Sequence, residues 1–94
     1  MNINELAERA HATANTHGFW PSNYFTSSKS PTVSIEGKLI KLALVASEVG
    51  EAIESVRNYN DGLGEELADI VIRVWDLAVA CDIDIQEEIL AKMD

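Results

Sequence analysis

Apolar residues recur three and four positions apart along most of the chain, the spacing that builds one face of a helix. Ile3, Leu6, Ala7, Ala10 and Ala14 predict a first helix over residues 3–16. Asn2 precedes it and Glu5 follows three positions on, a capping-box-like start. The pattern lapses over residues 17–33, in the aromatic run His17-Gly18-Phe19-Trp20-Pro21-Ser22-Asn23-Tyr24-Phe25 and the polar segment Thr26 to Pro31. It resumes in a long second helix, residues 33–58, carrying Leu39, Ile40, Leu42, Val45, Val49, Ile53 and Val56. The turn-forming cluster from Asn58 to Gly64 ends that helix. A third helix is expected over 64–81, then a break at Asp82-Ile83-Asp84. Asp84 and Glu87 open a fourth helix running from Ile85 towards Asp94. The one β-branched run, Ile70-Val71-Ile72, lies inside a stronger helical pattern. The expected fold is all-α, a bundle built from antiparallel helix hairpins.

The 94 residues suffice for one domain. Residues 1–32 supply the N-terminal helix and aromatic loop, and 33–94 the helical core. At 47% hydrophobic residues, so short a chain has more apolar material than a small monomer easily buries. This predicts a four-helix core completed by oligomerisation. The loop holds four of the six aromatic side chains, Phe19, Trp20, Tyr24 and Phe25. A connection of this length in a small domain more often carries function than not.

The formal net charge of −9 repels phosphate backbones and argues against nucleic-acid binding. A polyphosphate ligand would meet the same repulsion unless a divalent cation stood between. A single cysteine, Cys81, suits a reducing compartment. With no signal-like N-terminus and no apolar run long enough to span a bilayer, the expectation is a cytoplasmic protein without membrane contact.

The acids follow a pattern of their own. Glu48 and Glu51 lie three apart on the second helix, as do Glu66 and Asp69 on the third. That spacing puts each pair on one helix face. Antiparallel pairing about residues 58 and 59 sets Glu51 opposite Glu66 and Glu48 opposite Asp69. Facing carboxylates repel, but as oxygen ligands they suit Mg²⁺, with Mn²⁺ as a substitute, and the lack of histidine or cysteine disfavours zinc. The third helix is apolar nearly all round except for the stripe Glu66, Asp69, Arg73 and Asp76, so it should be buried. Arg73 is placed to pair Asp69 and Asp76. Lys38 and Lys41 are candidates for substrate phosphate or, equally, surface lysines that lay their stems on apolar neighbours. Trp20 either stacks on a base or packs the loop onto the bundle. His17 reads as a polar residue at a helix C-terminus.

Glu48-Val49-Gly50-Glu51, followed after fourteen residues by Glu66-Leu67-Ala68-Asp69, resembles the ExxE…ExxD signature of MazG-like nucleoside-triphosphate pyrophosphohydrolases. Leu42 to Ser47, Ile70 to Arg73 and Glu88 to Met93 are similar too, so the likeness covers residues about 37–93. The resemblance implies hydrolysis of nucleoside triphosphates, often deoxy or non-standard, to monophosphate and pyrophosphate. It implies Mg²⁺ held by Glu48, Glu51, Glu66 and Asp69, one of them acting as base, and assembly as a homodimer or homotetramer. Arg73 and Lys92 fall in the matching stretches and are carried as substrate-binding candidates with Trp20, Lys38 and Lys41. Members commonly continue past the Lys-Met step with an asparagine and an arginine that help hold phosphates; this sequence ends at Asp94.

Two rivals stand beside that reading. A ferritin-like di-iron bundle wants Glu-x-x-His on two helices; Glu8 with His11 supplies one such pair and there is no second. A non-catalytic helical dimerisation module would leave the acids as a solvated rim. In either oligomeric case the third helix should offer Ala68, Ile72, Trp75 and Val79, opposite its acids, to a second subunit.

Overall fold

A computed structural model describes all residues, Met1–Asp94, as four α-helices: α1 (Ile3–Thr16), α2 (Ile35–Arg57), α3 (Leu63–Ala80) and α4 (Ile85–Met93). A 3₁₀ turn, Ser22–Tyr24, interrupts the aromatic loop, and its one β-bridge pairs Phe25 with Val33. The protein is all-helical, as the spacing predicts.

Side-chain caps start three of the helices. Asn2 Oδ1 accepts from Glu5 N at 2.8 Å, and Asp84 Oδ1 accepts from Glu87 N at 3.0 Å. Asp84 Oδ1 also takes a 2.7 Å bond from Asn4 Nδ2, tying α4 to α1. α2 begins two residues later than expected because Val33 is held in the bridge and Ser34 becomes the cap, its Oγ accepting from Gly37 N at 3.0 Å. The loop lies so close here that a Cβ on Gly37 would meet Tyr24 O at 2.5 Å. α2 and α3 both end with a residue in the left-handed region, Tyr59 and Asp82, each at φ 56°. The next amide closes the turn, Asn60 N onto Ser55 O and Ile83 N onto Ala78 O.

α3 is the central element. It packs against both α1 and α2, and α4 closes over α1 and α3. Contacts descend along α2 as they ascend along α3, from Glu51–Glu66 to Glu48–Arg73, so the two helices run in opposite directions. The densest packing gathers Ala14, Trp20 and Val33, with Tyr24, Phe25, Leu77, Ala80 and Cys81 around them.

The single chain is thinly covered. Its radius of gyration is 14.6 Å, against about 12.4 Å for a compact chain of this length. No large side chain is fully buried. The expectation that α3 is buried all round fails for one chain: Leu63, Leu67, Val71 and Val74 are exposed. Of the α3 face expected to meet a second subunit, Ile72 and Trp75 border a cleft against Leu6, Ala10 and Ala14, while Ala68 and Ile72 remain exposed. No helix is long and apolar enough to cross a membrane.

Candidate functional site

The i, i+3 spacing of the acids carries directly into space. Glu48 and Glu51 of α2 and Glu66 of α3 each place a carboxylate oxygen within 4.8 Å of the others. Glu66 bears the strain of this meeting. Its Oε2 is shut off from solvent and accepts no hydrogen bond. Desolvation, and then the charges of Glu51, Asp69, Glu48 and Glu65, raise its pKa above the ordinary carboxylate value. Asp69 stands outside the tight trio and, with Glu48, borders the cleft between α1 and α3. Glu51 and Glu66 border a hollow on the other side, lined by polar residues that include Gly50, Asn58 and Asn60. The carboxylates therefore form a partition between two openings.

One cation enters this partition. Arg73 Nε lies 3.5 Å from Glu48 Oε1, and its guanidinium carbon is 5.7 Å from the centre of the Phe19 ring. The predicted pairing of Arg73 with Asp69 and Asp76 is not formed; the α2 carboxylate wins. The adjoining cleft has a volume of about 560 Å³. Leu6, Phe19, Ile72 and Trp75 give it apolar walls, and Arg9, Thr13 and Arg73 give it polar ones. Arg9 and Thr13 carry no motif that would have marked them; only the folding of α1 onto α3 brings them here.

A second cluster lies two turns further along α3. Asp76 is 3% exposed, and its Oδ1 accepts from His11 Nδ1 at 2.7 Å and Trp20 Nε1 at 2.8 Å. Trp20 is thereby buried and packs the loop onto the bundle, the second of the two roles open to it. Lys41 lies under the same loop, 4% exposed. Its Nζ donates to Phe19 O at 2.6 Å and sits 4.3 Å from the Trp20 ring centre. Burial lowers the Lys41 pKa, with Asp76 opposing and Arg73 reinforcing the shift. Lys41 is thus neither a surface lysine nor free to reach phosphate.

The other candidates lie apart from the carboxylates. Lys38 is exposed on α2 near Cys81, and Lys92 is exposed in the last turn of α4. His17 Nδ1 bonds its own helix end at Thr13 O, 2.8 Å away. Glu8 is exposed and His11 is engaged by Asp76, which leaves no Glu-x-x-His ligand pair facing α2 and α3.

Comparison of the chain with known protein families, curated proteins and solved structures found no match in any of the three. The functional reading rests on the residues and their geometry.

Proposed function

We propose that this protein is a Mg²⁺-dependent nucleoside-triphosphate pyrophosphohydrolase of the MazG-like kind, releasing a nucleoside monophosphate and pyrophosphate. The observation that carries the reading is the unpartnered Oε2 of Glu66 inside a group of three mutually close carboxylates. An acid so placed needs a positive partner, and an all-oxygen donor set fits Mg²⁺, with Mn²⁺ able to substitute. Glu48, Glu51, Glu66 and Asp69 would hold it. When bound, the ion acidifies a coordinated water and offsets phosphate charge.

The chain's own residues supply the rest. Arg73, held by Glu48 at the mouth of the cleft, offers a guanidinium to the triphosphate. The apolar walls of Leu6, Phe19, Ile72 and Trp75 take the nucleoside and exclude water. A carboxylate of the set accepts the proton of the attacking water as its oxygen bonds to the α-phosphorus; the bond to the β-phosphate's bridging oxygen breaks and pyrophosphate leaves. Lys41 and Trp20 position the loop that carries Phe19. The working form is a homodimer or homotetramer acting on a cytoplasmic nucleotide pool. The test is to supply Mg²⁺ and a panel of ribo- and deoxynucleoside triphosphates and assay pyrophosphate. Release that is abolished by chelator is expected; no release from any nucleotide overturns the reading. The exposed apolar strip of α2 favours a second reading, a helical dimerisation module without catalysis, and that module would form dimers yet release nothing.

A further inference from the structure

The chain carries seven basic side chains against sixteen acids, and most of the seven are accounted for. Arg73 pairs with Glu48, Arg57 pairs with Glu54, and Lys41 donates to Phe19 O. Lys29, Lys38 and Lys92 lie outside the cleft between α1 and α3. Arg9 lies in it, on the α1 wall, and has no acid. Its one side-chain bond, from Nη1 to Met1 Sδ at 3.8 Å, goes to a weak acceptor. Glu5, four residues earlier on α1, stands at the spacing and in the order that favour an ion pair, yet none forms. An exposed guanidinium at a cleft wall, in an acidic chain and without a carboxylate, is available to a ligand.

The run of the helices says which part of a ligand Arg9 meets. α1 lies opposite in direction to α3, since Asn4 bonds Asp84 and His11 bonds Asp76. Arg9 is therefore level with a point on α3 beyond Asp76. Asp69 lies about 10 Å back along α3 from Asp76, at ~1.5 Å rise per residue. The cleft thus has a carboxylate end, with Glu48, Asp69 and Arg73, and a far end, with Leu6, Arg9 and Trp75. Phosphates belong beside the carboxylates and their cation, which leaves the far end to the nucleobase. Its walls there are apolar, and Asp76 is already spent on His11 and Trp20. Arg9 is the charged group left to read a base edge. A guanidinium donates and never accepts. Its fork matches two acceptors side by side, which guanine presents at O6 and N7; adenine puts an amino donor in the place of O6.

We infer that Arg9 is a specificity-determining residue: it selects 6-oxopurine nucleotides, guanine foremost, by donating to O6 and N7 of a base seated in the cleft near Leu6 and Trp75. The inference rests on the proposed function for placing a nucleoside in the cleft, and deepens it by naming the base. It does not require that the bound nucleotide be hydrolysed.

The experiment reads binding and turnover separately. Calorimetry in Mg²⁺ uses the α,β-methylene analogues of dGTP and dATP, in which a carbon replaces the bridging oxygen and prevents cleavage. The wild type binds the guanine analogue at least about tenfold more tightly than the adenine one. Arg9→Met brings the two affinities within about twofold of each other. Arg9→Lys, which keeps the charge and loses the fork, retains only part of the preference. Arg9 is exposed, so both variants keep the wild-type circular dichroism and urea midpoint. Equal affinities in the wild type, a preference for adenine, or a guanine preference that survives Arg9→Met overturns the inference. Pyrophosphate release from dGTP and dATP is assayed in parallel. An Arg9-dependent guanine preference in a protein that releases nothing would defeat the enzymatic reading and leave this one standing. Release from both nucleotides without a binding preference would do the reverse.

Discussion

Asp76 and Glu66 lie on the same helix, Asp76 buried and Glu66 half-buried with one carboxylate oxygen shut off from solvent, and their surroundings meet them in opposite ways. Asp76 is enclosed by donors: a histidine from α1, an indole N–H from the loop and, across the Trp20 ring, a lysine from α2. Glu66 is enclosed by acceptors, with Glu48, Glu51 and Asp69 raising its pKa and one oxygen unpartnered. A buried acid with its own donors holds the fold together. A half-buried acid among other acids is relieved by holding a proton or by taking a cation from outside. The chain spends its internal donors at the loop end and leaves the other end of α3 short of them, with Arg73 alone reaching in. This contrast separates a structural cluster from a candidate catalytic one without recourse to kinship.

The contrast breaks most visibly at Asp76. Asp76→Ala leaves His11 and Trp20 Nε1 without an acceptor and removes the carboxylate nearest Lys41. Loss of a buried, multiply bonded charge costs about 3–5 kcal/mol, a large share of a small domain's stability. Urea titration followed by circular dichroism measures it. A loss below about 1 kcal/mol would show that the loop cluster is incidental.

Glu48→Gln and Asp69→Asn should do the reverse, leaving the urea midpoint nearly unchanged or slightly raised while pyrophosphate release falls more than about 100-fold, roughly 2.7 kcal/mol of barrier. Wild-type turnover in both purified variants would remove the carboxylates from the reaction. Smaller again is the effect of the cation on stability. Mg²⁺ at about ten times its dissociation constant should add about 1.4 kcal/mol, several degrees in melting temperature for a domain of this size. Glu66→Gln should reduce that gain and Asp76→Asn should not.

The sequence made the acidic end legible and the loop end almost opaque, for a physical reason. The i, i+3 pairs are local, and an α-helix converts such spacing into a shared face whatever else the chain does. Asp76 finds its partners 65 residues away in His11 and 56 residues away in Trp20, and no local rule anticipates either. Arg73 shows the same limit. Its near neighbours Asp69 and Asp76 are at ideal helical spacing, yet it turns to Glu48 on another helix, where carboxylates crowd most. Lys41 is held by a main-chain carbonyl, a group every residue carries and no sequence marks. The apolar positions of α2 are plain in the sequence, but only the packed chain shows that Ile35, Leu39, Leu42 and Ile53 stay exposed.

The smallest expected effect is a dependence on pH, and it separates crowded from satisfied acids by sign. In chelator, Glu66 has its folded pKa raised above the ordinary 4.5, chiefly by desolvation and then by its carboxylate neighbours. The folded protein therefore holds this proton more tightly than the unfolded chain does. The stability that comes with it is fully present below pH 4.5 and is lost as pH rises through the folded pKa. Asp84 runs the other way. The Asn4 side chain and then the Glu87 amide lower its pKa below the ordinary 3.8. Its contribution is present above pH 3.8 and is lost as pH falls through the lower, folded value. Melting temperatures recorded from about pH 3 to pH 7 should show both limbs. Glu66→Gln should flatten the upper limb and leave the lower one intact, and Asp84→Asn should do the opposite. Saturating Mg²⁺ should erase the upper limb in the wild type, because a bound cation favours the ionised carboxylate instead of opposing it. An upper limb that survives in Glu66→Gln would mean that Glu66 is not the crowded member of the set, and the contrast with Asp76 would lose its sharper half.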